Sequence, residues 1–125
     1  MTDITGSRAV YDSVFGFAVA FEAPPEDADQ ETKDRVAFVF GGVIYTFGGG
    51  LLGLRPVTPA DGRFNQNGVG LDHVSFADAS RADLEAAARL FEFGVPHDHV
   101  KDVGPTLIFE FRDPDNIALE STAPA

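Results

Sequence analysis

Apolar and polar positions along the chain follow two rhythms, and the changes between them mark its elements. In Ser7 to Phe15 the apolar Val10, Tyr11, Val14 and Phe15 recur at helical spacing. Gly6 or Ser7 caps the start and Gly16 stops the run, so a short helix packed on a sheet is predicted. Phe17-Ala18-Val19-Ala20-Phe21 then alternates bulky and small residues as a strand does. Ala23 to Asp34 turns polar and acidic behind Pro24-Pro25 and reads as an exposed loop. Arg35 to Phe40 is strand-like by its β-branched and aromatic content. Gly41-Gly42 interrupts it, Val43 to Phe47 is a further strand, and Gly48-Gly49-Gly50 turns the chain into Leu51 to Arg55.

Pro56 to Asn67 is a linker, broken by Pro56, Pro59, Asp61-Gly62 and Asn65. Beyond it, Leu71-Asp72-His73-Val74-Ser75-Phe76 is a strand carrying one histidine. The clearest helix is predicted from Ser80 to Phe93: Ser80 and Asp83 resemble a capping box, Leu84, Ala87, Ala88 and Phe91 form the buried face, and Gly94 and Pro96 end it. Strands follow within Val95 to Val103, over Thr106 to Phe111 and over Ile117 to Ser121. Between the last two, Asp113-Pro114-Asp115-Asn116 is a turn by its own chemistry.

The halves repeat each other. Ser7-Arg8-Ala9 opens one helix and Ser80-Arg81-Ala82 the other, each helix stops at a glycine, and three strand-like segments follow each. The unit is βαβββ used twice, with the first strand of the first copy reduced to a stub at Met1. An α+β fold in one domain is expected: module one over 1–56, a linker over 57–69 and module two over 70–125.

Composition narrows the chemistry. With 125 residues, 44% of them hydrophobic, the chain is long enough for a packed core, and twelve Phe without Trp make that core phenylalanine-rich. A formal net charge of -11 argues against nucleic acid and anionic membranes, which need a positive patch. It suits a cationic ligand or simply a solvated surface. The absence of cysteine excludes disulfides, thiolate metal sites and thiol nucleophiles. No signal peptide or membrane-spanning run is apparent, so a cytoplasmic protein is expected. The glycines between 41 and 53 lack the Gly-Lys-Ser/Thr ending of a phosphate loop and read as tight hairpins.

Candidate chemistry lies in module two. Val74 and Phe76 point toward the helix, which turns His73 to the other side of its strand; Leu119 does the same for Glu120. On neighbouring strands the two side chains can share a metal. Without one, His73 is a hydrogen-bonded pocket histidine, and Glu120 needs another cation, a hydrogen bond, or a role as general base. Glu110 faces away from Phe109 and Phe111 and is a possible further donor. Arg55 shares the face of Gly53 and either holds a substrate carboxylate or is a surface arginine. His97-Asp98-His99 has zinc-compatible spacing, but beside Pro96 it reads as an exposed edge or loop.

Leu71 to Phe76, Gly94-Val95-Pro96, Lys101-Asp102 and above all Phe111-Arg112-Asp113-Pro114-Asp115-Asn116-Ile117-Ala118-Leu119-Glu120 resemble the vicinal oxygen chelate superfamily, which includes glyoxalases, bleomycin-resistance proteins and extradiol dioxygenases. The resemblance implies two βαβββ modules forming a curled mixed sheet around a cleft, commonly completed in a homodimer. It implies a divalent ion (Zn, Fe, Mn or Ni) held by His73 and Glu120, with Glu120 catalytic and Arg55 binding substrate. The equivalent of Glu120 in module one falls on Gly53, and that of His73 falls before Met1, so half of the usual ligand set is absent. A metal-dependent lyase, isomerase or dioxygenase acting on a small oxygenated metabolite is therefore expected. The alternative is a metal-free protein that sequesters a cationic drug or other small molecule in a dimer cleft.

Overall fold

The computed structural model describes residues 1–90, 92 and 94–125. Two compact units divide the chain, Met1–Gly62 and Arg63–Ala125. In the first, helix α1 (Ile4–Val14) leads into β1 (Ala18–Glu22), and a short helix α2 (Gln30–Arg35) precedes β2 (Val43–Phe47) and β3 (Gly50–Leu54). In the second, β4 (Val74–Ala77) is followed by helix α3 (Arg81–Leu90), β5 (Lys101–Asp102), β6 (Thr106–Arg112) and β7 (Ala118–Pro124). The second unit is thus the expected βαβββ. In the first, α1 is preceded by Met1–Asp3, which belong to no strand.

The sheets correct one expectation. The curled mixed sheet around a cleft is replaced by two open sheets, neither closed nor strongly curled, with strand orders β1-β2-β3 and β4-β7-β6-β5. The first is wholly antiparallel; the second is mixed because β4 runs parallel to β7. Strong curvature accumulates from twist over long, continuous ladders. Here the first sheet ends after three five-residue strands, and the second thins to the two-residue β5.

Local signals explain most elements. Ser80 Oγ bonds Asp83 Oδ2 at 2.7 Å and accepts the Asp83 amide at 3.3 Å, so the capping-box residues do start α3. Leu84 and Ala87 are buried as its pattern requires; Phe91 and the helix end predicted at Phe93 lie outside the described residues. Helix α1 is capped by Asp3, whose carboxylate accepts the Thr5 amide at 3.0 Å, rather than by Gly6 or Ser7. Ser7 is buried inside the helix. Tyr45 of β2 is fully buried and donates its hydroxyl to Asp12 at 2.7 Å, joining α1 to the first sheet. Burial, then that bond, pushes the tyrosine pKa up to about 12.

Two segments depart from their pattern. Within the expected loop, Asp29 accepts the Thr32 amide at 2.7 Å and nucleates α2. The chain then continues into a 3-10 turn over Ala37–Val39, where a strand was expected from Arg35 to Phe40. Phe40 closes the turn with φ 52°, and Gly42 has its Cα against the Leu54 carbonyl, where an added Cβ would lie 1.8 Å from the oxygen. The capped helix upstream and the tight approach downstream override β propensity.

The Asp113–Asn116 turn is a structural lock. Asp113 is 2% exposed, and its Oδ1 accepts the amides of Asp115 at 2.9 Å and Ile117 at 2.8 Å, while Asn116 takes the left-handed φ of 69°. Replacing Asp113 with Ala leaves two amides without their acceptor. Urea denaturation is expected to show a loss of about 2 kcal/mol for Asp113→Ala, and a smaller loss for Asp113→Asn, which retains the accepting oxygen.

Candidate functional site

Alternation along β6 generates the site. Leu107, Phe109 and Phe111 are at most 3% exposed and form the core face. Ile108, Glu110 and Arg112 must therefore take the opposite, open face. Antiparallel pairing sets Glu110 directly across from Glu120 and Arg112 across from Ala118. On the other side of β7, parallel pairing sets Ser75 beside Glu120. His73 lies two residues before Ser75, at the entry to β4, and so on the same side. A cavity of about 330 Å³ opens there, lined in part by Asp72, His73, His97, Glu110, Arg112 and Glu120.

The charged groups are mostly spoken for. His73 Nδ1 lies 2.8 Å from Asp72 Oδ2. That bond, with smaller contributions from the Glu120 and Glu110 charges, raises the His73 pKa above its ordinary value. Lys101 Nζ bridges Glu110 Oε2 at 2.5 Å and Asp98 Oδ2 at 2.6 Å. These bonds raise the lysine pKa, and the lysine bond, followed by the His99 amide, holds Asp98 down at about 2. Arg112 donates to the Gln66 side chain and to the Asn116 carbonyl. Glu120 differs: its Oε1 accepts the neutral Ser75 hydroxyl at 2.7 Å, and among the described residues it forms no ion pair.

His73 and Glu120 are thus brought to one cavity, with Glu110 on the face that alternation assigns it. Arg55 is not among the lining residues. It is exposed in the first unit, with its guanidinium carbon 3.9 Å from the centre of the Phe40 ring. Of the two loop histidines, His97 lines the cavity and bridges to Phe111, while His99 is exposed beside Asp98. Ser75, Lys101 and Arg112 were named in the sequence only as motif residues and were given no part in the site. Their side-chain periodicity was visible, but their importance follows from strand register, which periodicity leaves open.

A divalent ion was the cofactor expected from the resemblance. One imidazole and two carboxylates are suitable donor types, yet among the described residues no three such side chains are grouped to hold an ion. Glu110 is in addition committed to Lys101, leaving His73 and Glu120 one short of the three protein ligands that an open catalytic site uses. As arranged, these residues do not fit a complete metal centre.

Comparison with solved structures settles the fold. A glyoxylase/bleomycin resistance protein/dioxygenase domain from Frankia sp. EAN1pec superimposes with a TM-score of 0.74 at 22% identity, over 100% of this chain and 86% of that one. A lactoylglutathione lyase from Agrobacterium tumefaciens gives 0.62 at 20% identity, over 98% and 86%. A fosfomycin resistance protein from Listeria monocytogenes gives 0.67 at 15% identity, over 100% and 87%; another structure of that protein, an engineered variant, is complexed with Mn(II) and 1S,2S-dihydroxypropylphosphonic acid. No family model and no curated protein matches the sequence. The chain has the vicinal oxygen chelate fold, a fold used by both metal-dependent enzymes and metal-free binding proteins.

The Asp72–His73 pair is directly measurable. A raised pKa means that the folded chain binds the imidazole proton more tightly than the unfolded chain does. The resulting stabilisation is present below the unfolded value of about 6.5 and is lost as pH rises through the folded value. An NMR titration is expected to place His73 above 6.5 and to find it lowered in Asp72→Asn; an unchanged titration in that variant contradicts the assignment.

Proposed function

We propose that this cavity is the working site and that it binds a small oxygenated molecule bearing a positively charged group, seated on Glu120. The observation that carries this reading is the uneven pairing of the carboxylates. Asp72 bonds His73, and Asp98 and Glu110 bond Lys101, whereas Glu120 receives only a neutral hydroxyl from Ser75 among the described residues. A half-buried carboxylate with no cation bonded to it favours a ligand that supplies one. The cavity volume of about 330 Å³ is at the small end of ligand sites. Arg112, on the same face, provides a counterpart for the ligand's oxygen atoms, and Glu120 is also the group positioned to accept a proton from a bound molecule. This reading corresponds to the sequestering proteins of the fold, with a homodimer and no nucleic-acid or membrane partner.

A metal-assisted enzyme is the second reading, and one observation favours it. A carboxylate on Nδ1 of His73 is the arrangement that orients an imidazole for coordination through Nε2. His73 and Glu120 would then be two donors, with a third supplied by a partner chain, and the protein would be a lyase, isomerase or dioxygenase of the glyoxalase type.

Thermal-shift and calorimetric titrations separate the two. Ethanolamine and other small amino alcohols with a primary ammonium group are expected to stabilise the wild type while neutral isosteres do not. Glu120→Gln is expected to weaken that binding by about 30-fold, the equivalent of one charged hydrogen bond of about 2 kcal/mol. Flat traces for every cation, together with stoichiometric Mn or Zn in the purified protein, overturn the binding reading in favour of the enzyme.

A further inference from the structure

The cavity's donors meet a competing cation on the edge strand. Glu110 and Glu120 stand directly opposite each other across β6 and β7. Two carboxylates so placed repel each other, and a divalent cation between them is one way to relieve that repulsion. This chain carries another. Lys101 on β5 pairs with Ile108, which shares the face of Glu110, so the lysine stem lies on that face as well. Its Nζ reaches Glu110 Oε2 at 2.5 Å and is held from the other side by Asp98 Oδ2 at 2.6 Å. The ammonium is therefore fixed by two carboxylates from two directions.

Resting on the reading that this cavity is the binding site, we infer that Lys101 determines its ligand charge class: it is a built-in cation that commits Glu110 and leaves the site to single-charged organic cations over divalent metals. With Glu110 and Asp98 both held on Lys101, Glu120 is the carboxylate left to bond a ligand, and it matches one ammonium group. With Glu110 released, His73, Glu110 and Glu120 would offer one nitrogen and two carboxylate donors along one face, a set that Mn²⁺ or Zn²⁺ takes. Asp98 matters because it keeps the lysine on β5 from swinging back to solvent; it positions the ammonium and does not itself face Glu120 across the ladder.

The test removes the charge and keeps the stem. Lys101→Met, with Lys101→Gln as a second variant in case methionine disturbs the edge strand, is titrated with Mn²⁺ and Zn²⁺ by calorimetry, with circular dichroism to establish folding. The wild type and Lys101→Arg are expected to bind weakly. Lys101→Met is expected to take one ion per chain at least about tenfold more tightly, and adding Glu110→Gln to Lys101→Met is expected to abolish the gain. Equal affinity in the wild type and both neutral variants overturns the inference, as does a gain that survives Glu110→Gln, which would mark a general change in surface charge. The organic-cation titrations of the wild type report separately: their failure alongside a metal gain in Lys101→Met rejects the proposed ligand and keeps the role of Lys101, and the reverse pattern does the opposite.

Discussion

The burial of three alternate side chains on β6 is the constraint on which the candidate site depends. Leu107, Phe109 and Phe111 are withdrawn from water almost completely, and each such burial is worth roughly 1.5–3 kcal/mol. A one-residue slip of β6 would expose all three and bury Glu110 and Arg112 in their place. The register with β7 is therefore fixed by the core. The cost appears on the open side, where the same register aligns Glu110 with Glu120. Polar chemistry there is a consequence of hydrophobic packing on the other face.

The surrounding residues relieve that cost in different ways. Lys101 supplies a charge to Glu110, and Ser75 supplies a hydroxyl to Glu120. The Asp113 lock at the β6–β7 turn keeps the two strands aligned just beyond Arg112. The surface ion pairs are individually weak, because Lys101, Asp98 and Glu110 are all substantially exposed. Their value is in orientation: they decide which carboxylate meets a ligand. The role proposed for Lys101 is to direct this fold toward one kind of ligand from a single position on an edge strand.

Much of this was legible in the sequence where local chemistry dominates. The Ser80–Asp83 cap, the Asp113–Asn116 turn and the alternation that turns Glu110 away from Phe109 and Phe111 all depend on residues close together in the chain, and each appears where the pattern places it. The failures share the opposite property. Arg35 to Phe40 has strand composition, but a helix capped at Asp29 and the close packing of Gly42 on Leu54 decide its conformation. Sheet curvature depends on ladder lengths that periodicity does not report. Lys101 was noted for its place in the resemblance but not for its pairing, because its partner is nine residues away across a register that only the folded sheet defines.

An amide-resolved NMR titration of the ¹⁵N-labelled protein with ethanolamine tests the central claim most directly. The account predicts the largest shifts at Ser75, Glu110 and Glu120 on the open face of the second sheet, with the buried face of α3 unchanged. Shifts confined to the first unit, or none at ligand saturation of the other assays, would contradict it.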